Sequence, residues 1–159
     1  MSITMNDSTF DPSTFLNQRV SGDFSRRPPI PAGSEVVGVV QPEMKIRQAQ
    51  SKDGETLTFL DIPIRLDLTA TPHIAKHVGA DSLTLTHGIR LDFKNGAIDN
   101  SPGRNGGLRQ YREALKLTAA DGVKDFGITD LAGRIVKCKI SHREYQGDIF
   151  DQIASVTRP

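Results

Sequence analysis

The sequence contains no tryptophan, one cysteine and two tyrosines, and aromatic residues fill only 6% of its 159 positions. The lone Cys138 excludes an intramolecular disulfide and fits a reducing compartment. No stretch approaches the ~20 apolar residues that a helix needs to cross a bilayer. The opening MSITMNDSTFDPSTF has no apolar run of signal-peptide length either. An excess of one charge sign is also missing, since 20 Lys and Arg stand against 19 Asp and Glu. Any surface for a polyanion must therefore come from local segregation of cations. These absences lead us to expect a soluble, cytosolic chain with no membrane partner, long enough for one domain with a full core.

Enzymatic signatures are absent in the same way. The glycines of Asn95 to Gly107 lack the Gly-Lys-Ser/Thr of a phosphate loop, and no dinucleotide fingerprint occurs. Asp61 with Asp67, or Asp92 with Asp99, lack the further ligands a metal-dependent nuclease needs. His73 and His77 share a helical spacing, but no third zinc ligand stands nearby. Cys138 falls on the apolar side of its strand, where a small buried residue is the natural reading. The expectation is a non-enzyme with no cofactor and no metal.

What is present is mostly β. Residues 1–33 scatter Phe10, Phe15 and Phe24 among polar residues and end in Arg26-Arg27-Pro28-Pro29-Ile30-Pro31. This composition predicts a flexible, proline-rich, extended N-terminal arm. It drapes over a domain formed by residues 34–159, docks a partner, or follows a nucleic-acid strand with Arg19, Arg26 and Arg27. Val36 to Gln50 reads as a first strand, and Ser51-Lys52-Asp53-Gly54 as a turn. Thr56 to Thr69 alternates Leu60, Ile62, Ile64, Leu66 and Leu68 against a mostly polar face that also carries Leu57 and Phe59. Pro63 cannot donate to a ladder, so it marks an edge or a bulge. Thr71 to Gly79 reads as a short capped helix. Ser82 to Phe93 is the third strand, with His87 and Phe93 in its inward set. Asn95 to Gly107 reads as a long loop, and Leu108 to Leu117 as a helix with Tyr111 in its apolar stripe.

The chain closes on a ribbon. Val136, Cys138 and Ile140 alternate with Lys137, Lys139, Ser141, Arg143 and Tyr145, and Ile149 to Thr157 returns as the partner strand. A turn at Gly147-Asp148 would put Tyr145 opposite Phe150, on the face of Lys137, Lys139 and Arg143. The same register sets Glu144 against Asp151, an unfavourable pair of like charges. The order of strand, strand, strand, helix, strand, strand predicts a β-rich α+β fold. Its form would be a five-stranded OB-like barrel with the helix between strands 3 and 4. An open sandwich with a packed helix is the competing answer.

Two groups of motifs carry a resemblance. FDPSTFLNQRVSGDFSRRPPIPAGSEVVGVV at the start, then SKDG, LTHGIRLDF, GLRQYREAL and DLAGRIVKCKISHREYQGD, run nearly end to end. In these the chain resembles a group of small bacteriophage proteins that look like single-stranded-DNA-binding proteins of OB type. The resemblance implies single-stranded DNA as partner, in replication or recombination, in the cytoplasm of an infected bacterial host. It also implies replication or recombination proteins as further partners. The last residues, Ser155-Val156-Thr157-Arg158-Pro159, differ from the acidic tail of many such proteins, so recruitment through a tail is not expected.

Binding a single strand without sequence choice needs cations along the phosphates and flat rings under the bases. The outward faces supply Lys45, Arg47, Phe59, Arg65, Arg90, Lys137, Lys139, Arg143, Tyr145 and Phe150. Lys52, Arg104 and Arg109 would close over the strand from loops and a helix start. The alternative is a protein-binding accessory or recombination mediator on the same barrel, working through the proline-rich arm. An exposed barrel edge and a free arm leave a homodimer open to this chain.

Overall fold

The computed structural model describes residues 11–22 and 26–159. Its elements are α1 (Pro12–Leu16), β1 (Glu35–Val40), β2 (Lys45–Gln50), β3 (Thr56–Asp67), α2 (Pro72–Val78), β4 (Ser82–Leu91), β5 (Phe93–Lys94), β6 (Ala97–Ile98), α3 (Gly106–Ala114), β7 (Ile135–Tyr145) and β8 (Asp148–Thr157). Two 3₁₀ turns, Ala119–Asp121 and Ile128–Leu131, separate α3 from β7. The architecture is mainly β. Its main sheet is antiparallel, in the order β2-β3-β1-β7-β8, with β4 on the opposite edge of β3.

β3 is the hub. Its alternation puts Leu60, Ile62, Ile64, Leu66 and Leu68 into the core, and each is buried. One edge pairs with β4 along ten positions. The other is shared, Ile64–Leu66 with β1 and Thr56–Asp61 with β2. The expected single strand over Val36 to Gln50 is thus two strands, broken around Pro42. Pro63 sits at that handover, where its carbonyl still accepts from the Gln41 N–H at 2.8 Å. A missing donor is tolerated there because the ladder is already interrupted.

The expected OB-like barrel is not found closed among the described residues. The main sheet has six strands, and β4 and β8 lie side by side with no ladder between them among the described residues. Helix α3 spans the gap instead. Leu108, Tyr111, Ala114 and Leu115 are buried beneath it. The Tyr111 hydroxyl and His87 Nδ1 on β4 are hydrogen-bonded at 2.7 Å. On the far side, the Val156 N–H of β8 donates to Gln110 Oε1 at 3.1 Å. A close approach of α3 to β4 is possible because Gly107 has no side chain: a Cβ there would stand 2.7 Å from the Ile89 Cβ.

The closing hairpin also differs from its expected register. Its turn is Gln146-Gly147, both with positive φ (51° and 83°), the backbone of a two-residue type I′ hairpin. Arg143 therefore faces Phe150, Tyr145 faces Asp148, and Glu144 faces Ile149. The shift is two residues, so the facial assignment survives: Phe150 stays on the side of Arg143 and Tyr145. The Glu144–Asp151 clash disappears, and Asp151 faces His142. Phe93, expected inward, is 51% exposed, because β5 leaves the main sheet to pair with β6 around an Asn95-Gly96 turn.

The proline-rich segment meets the domain through its last residues. Ile30 is fully buried in the core. The Gly33 N–H donates to the Ile140 carbonyl at 2.8 Å, and Ile140 returns a bond to the Ser34 carbonyl at 2.8 Å. Phe15 is exposed on α1, while Phe10 and Phe24 lie outside the described residues.

Gly38 on β1 tests this packing. A Cβ on it would come 2.5 Å from Ile64 Cγ2 and 3.1 Å from Leu66 Cδ2, inside the core. Gly38→Ala is expected to destabilise the fold by about 1–3 kcal/mol through overpacking. In urea unfolding, the midpoint should fall at unchanged slope.

Candidate nucleic-acid interface

Because no ladder closes the seam between β4 and β8, a groove of about 630 Å³ runs along it. β4 contributes Thr86, His87 and Gly88, β8 contributes Gln152 to Ala154, and Ser141 and Arg143 of β7 continue one wall. Arg47 of β2 overhangs the other wall. A second hollow of about 400 Å³ shares Arg143 and Asp151 with the first and extends to Phe150, Leu85 and Arg26. The two form a continuous track over the open edge of the sheet.

The track carries two guanidinium–ring stacks. Arg47 stands 4.6 Å from the centroid of Phe59, and Arg143 stands 5.1 Å from that of Phe150. Arg26 approaches the Phe150 ring as well, at 3.9 Å. Register builds the first stack, since Phe59 faces Arg47 on β2 and Arg90 on β4 in one row across three strands. Arg47 also forks onto Asp61, with Nε to Oδ2 at 2.9 Å and Nη2 to Oδ1 at 3.2 Å. Gly88 makes room for that fork, because a Cβ there would lie 3.0 Å from Asp61 Oδ1 and 3.2 Å from Arg47 Nη2.

The other expected residues are spread more widely. Arg90 faces the Asp92 carboxylate at 3.6 Å. Lys45 opposes Asp61 and lines a separate hollow with Pro63 and Thr84. Arg65 is exposed between Val39 and Thr84, and Lys52 is exposed in the β2–β3 turn. Lys137 lies between Val37 and Thr157, and Lys139 between Glu35 and Ser155, on the outer face of β1, β7 and β8. Neither lysine lines the groove, and Glu35 faces one of them. Tyr145 is 56% exposed at the hairpin tip. Arg104 and Arg109 line a different pocket, with Ile98 and Phe126. The structure thus brings together Arg47, Phe59, Arg143 and Phe150, with Arg90 and Tyr145 at the margins.

Sequence reasoning missed Gly88, Ser141 and Gln152 as groove residues, and it named Arg26 only within the arm. The Gln152 amide donates to Ser141 Oγ at 3.0 Å, which fixes part of one wall. Arg26 is held near its ring by the anchorage of its neighbours. The Asp151 side chain is 1% exposed, with Arg27 Nη2 at 2.6 Å from Oδ2 in an ionic contact that lacks hydrogen-bond alignment. Asp151 Oδ1 accepts the Ile30 N–H at 2.8 Å, and His142 Nε2 donates to the Ile30 carbonyl at 2.6 Å.

The buried groups beneath the groove are electrically quiet. Burial holds His87 down to about 4, so its imidazole is neutral near pH 7. Burial raises the Tyr111 hydroxyl well above its usual range, and it pushes the Cys138 thiol up to about 12. Among the described residues, no group of three or more His, Cys, Asp or Glu is placed to hold a metal ion. No protein-family model matches the chain, and a search of curated proteins finds no match.

Two outcomes follow. Asp151→Ala leaves the Ile30 N–H without its charged acceptor and is expected to cost about 2–3 kcal/mol in urea unfolding. His87 has a folded pKa of about 4 against 6.5 unfolded, so the unfolded chain binds more protons between those values. Its contribution is fully present above pH 6.5 and is lost as pH falls towards 4, by an amount on the order of 3 kcal/mol. The stability of His87→Gln should fall less steeply across that window.

Proposed function

We propose that this protein binds single-stranded DNA without strong sequence preference, in phage DNA replication or recombination, and performs no chemistry on it. The observation that carries the reading is the track across the open seam, with its two guanidinium–phenyl stacks at Arg47/Phe59 and Arg143/Phe150. Support comes also from the strand neighbours. If β1 and β2 count as one bent strand, the sequence of contacts supports a reading as an OB-type barrel with α3 before the fourth strand. The ladder between β4 and β8 is the part of that pattern this chain lacks.

The arrangement suits an unpaired strand. In the free protein, arginines cover the ring faces. An incoming base takes the face of Phe150 or Phe59, and the displaced guanidinium turns to the adjoining phosphate. Stacking is indifferent to base identity because every base has a π face. A duplex offers no unstacked base to these rings, so it gains only the phosphate contacts. The near-neutral net charge of +1 fits a binder whose affinity rests on a few local arginines.

The test is anisotropy of a labelled oligo-dT at two salt concentrations, with duplex competitor. The wild type should bind the single strand in preference to duplex and weaken as salt rises. Phe150→Ala should lose roughly tenfold or more, given about 1–3 kcal/mol per stacked base. Arg143→Ala should lose less and lower the salt slope by about 0.7 for one phosphate contact. Equal competition by duplex, or an unchanged Phe150→Ala, contradicts the reading.

A further inference from the structure

Asn95 to Gly107 reads from sequence as a long loop that would close over a strand through Arg104, yet the part between β6 and α3 is folded against its own base. Asn105 is buried with left-handed backbone (φ 50°), and its side chain ties the loop to main chain at Asp92 and Asp99. Asn105 Oδ1 accepts the Asp92 N–H at 2.8 Å, and its Nδ2 donates to the carbonyls of Asp92 at 2.9 Å and Asp99 at 2.7 Å. The Asn105 N–H donates to Asp92 Oδ2 at 3.0 Å. The loop is therefore a preformed wall.

Behind that wall lies a pocket of about 320 Å³ that shares no lining residue with the groove. Ile98, Leu108 and Phe126 give it an apolar floor, and the exposed Arg104 and Arg109 stand at its rim. Among the described residues, neither rim arginine has a carboxylate within ion-pair distance. The Asp99 carboxylate, which also lines the pocket, is engaged by the Ser101 N–H and hydroxyl, and these bonds, with smaller help from the nearby Lys94 and Arg104 charges, hold it below the usual carboxylate range. A third cation is fixed in place. Arg112 donates to the carbonyls of Leu117, Val123 and Lys124 at 2.8–3.2 Å, with its guanidinium 5.7 Å from the Phe126 ring.

We propose that this pocket docks a short acidic peptide segment of a partner protein, one that carries a large apolar side chain beside its carboxylates. The side chain fills the floor, and the carboxylates meet the forks of Arg104 and Arg109, whose planar donors match them. A nucleic-acid strand fits less well. Both Nδ2 hydrogens of Asn105 are already given to main-chain carbonyls, so that side chain has no donor left for a base edge. The cations also converge on one hollow, whereas a phosphate backbone needs them in a row. This inference does not rest on the groove reading, since the two sites are separate.

The test is anisotropy of a fluorescein-labelled decapeptide rich in Asp with a Phe-Leu pair, against two controls. One has Asn for Asp, and the other has Ser for Phe and Leu. Saturable binding is expected, weakened about tenfold or more in each control and in the Arg104→Ala/Arg109→Ala double variant. Arg143→Ala should bind the peptide as the wild type does, and oligo-dT should not displace it. Circular dichroism confirms that the double variant, changed only at exposed positions, is folded. Absence of saturable binding, or equal binding of the Asn control, overturns the proposal. So does displacement by oligo-dT joined to an equal loss of oligo-dT binding in the double variant. Oligo-dT binding by the wild type, read in the same experiment, reports on the groove independently.

Discussion

The structure depends on how its sheet is left open. Two neighbouring strands joined by a ladder stand about 4.8 Å apart, which leaves no space for a ligand between them. Here β4 and β8 are bridged by side chains of α3, through the Tyr111–His87 pair on one side and Gln110 with the Val156 N–H on the other. The helix gets that close because Gly107 lies against Ile89. Towards the opposite end, the buried carboxylate of Asp151 holds the incoming segment at Ile30 and Arg27. The seam between these two attachments is the groove, and of its two lining cations Arg143 is stacked on a ring while Arg47 is shared between a ring and Asp61.

That distinction organises the electrostatics. With 20 cations against 19 acids, the molecule has no general excess to offer a polyanion. Arg27, Arg112 and Arg158 are committed to the fold, through Asp151, three main-chain carbonyls, and Asp121 with the Glu113 carbonyl. Arg47 is partly committed to Asp61 but remains half exposed, stacked on Phe59. Arg143 has a ring for a partner and no carboxylate in ion-pair reach among the described residues. A guanidinium on a phenyl ring is weakly held compared with one forked onto a buried acid. Such an arginine is free to exchange its ring for a phosphate.

Local periodicity and end signals made much of the fold legible. The alternation from Leu60 to Leu68, the Thr71-Pro72 start and Gly79 stop of α2, and the burial of Tyr111 and Cys138 all appear as the sequence implies. Tertiary choices were not legible. Gln146 is an unusual residue for a left-handed turn position, so the hairpin signal in the sequence starts one residue later, at Gly147. The Glu144–Asp151 clash was the physical clue that the register had slipped. Asn95-Gly96 is a hairpin dipeptide that the reading of Asn95 to Gly107 as one long loop passes over. Whether β4 and β8 close by a ladder cannot be read from either strand, because the deciding groups lie on α3. The same holds for Arg26, which reaches Phe150 only because a distant aspartate anchors its neighbour.

In the proposed binding mode a base stacks on Phe150 at the end of the open seam. Phe150→Trp would introduce the sole indole of the protein, since the sequence has no tryptophan. Titrating that variant with oligo-dT while following indole emission reports on this ring alone. The account predicts a saturable change in emission at low salt that follows the binding isotherm and fades as salt rises. Oligo-dT bound by anisotropy with unaltered emission would contradict it.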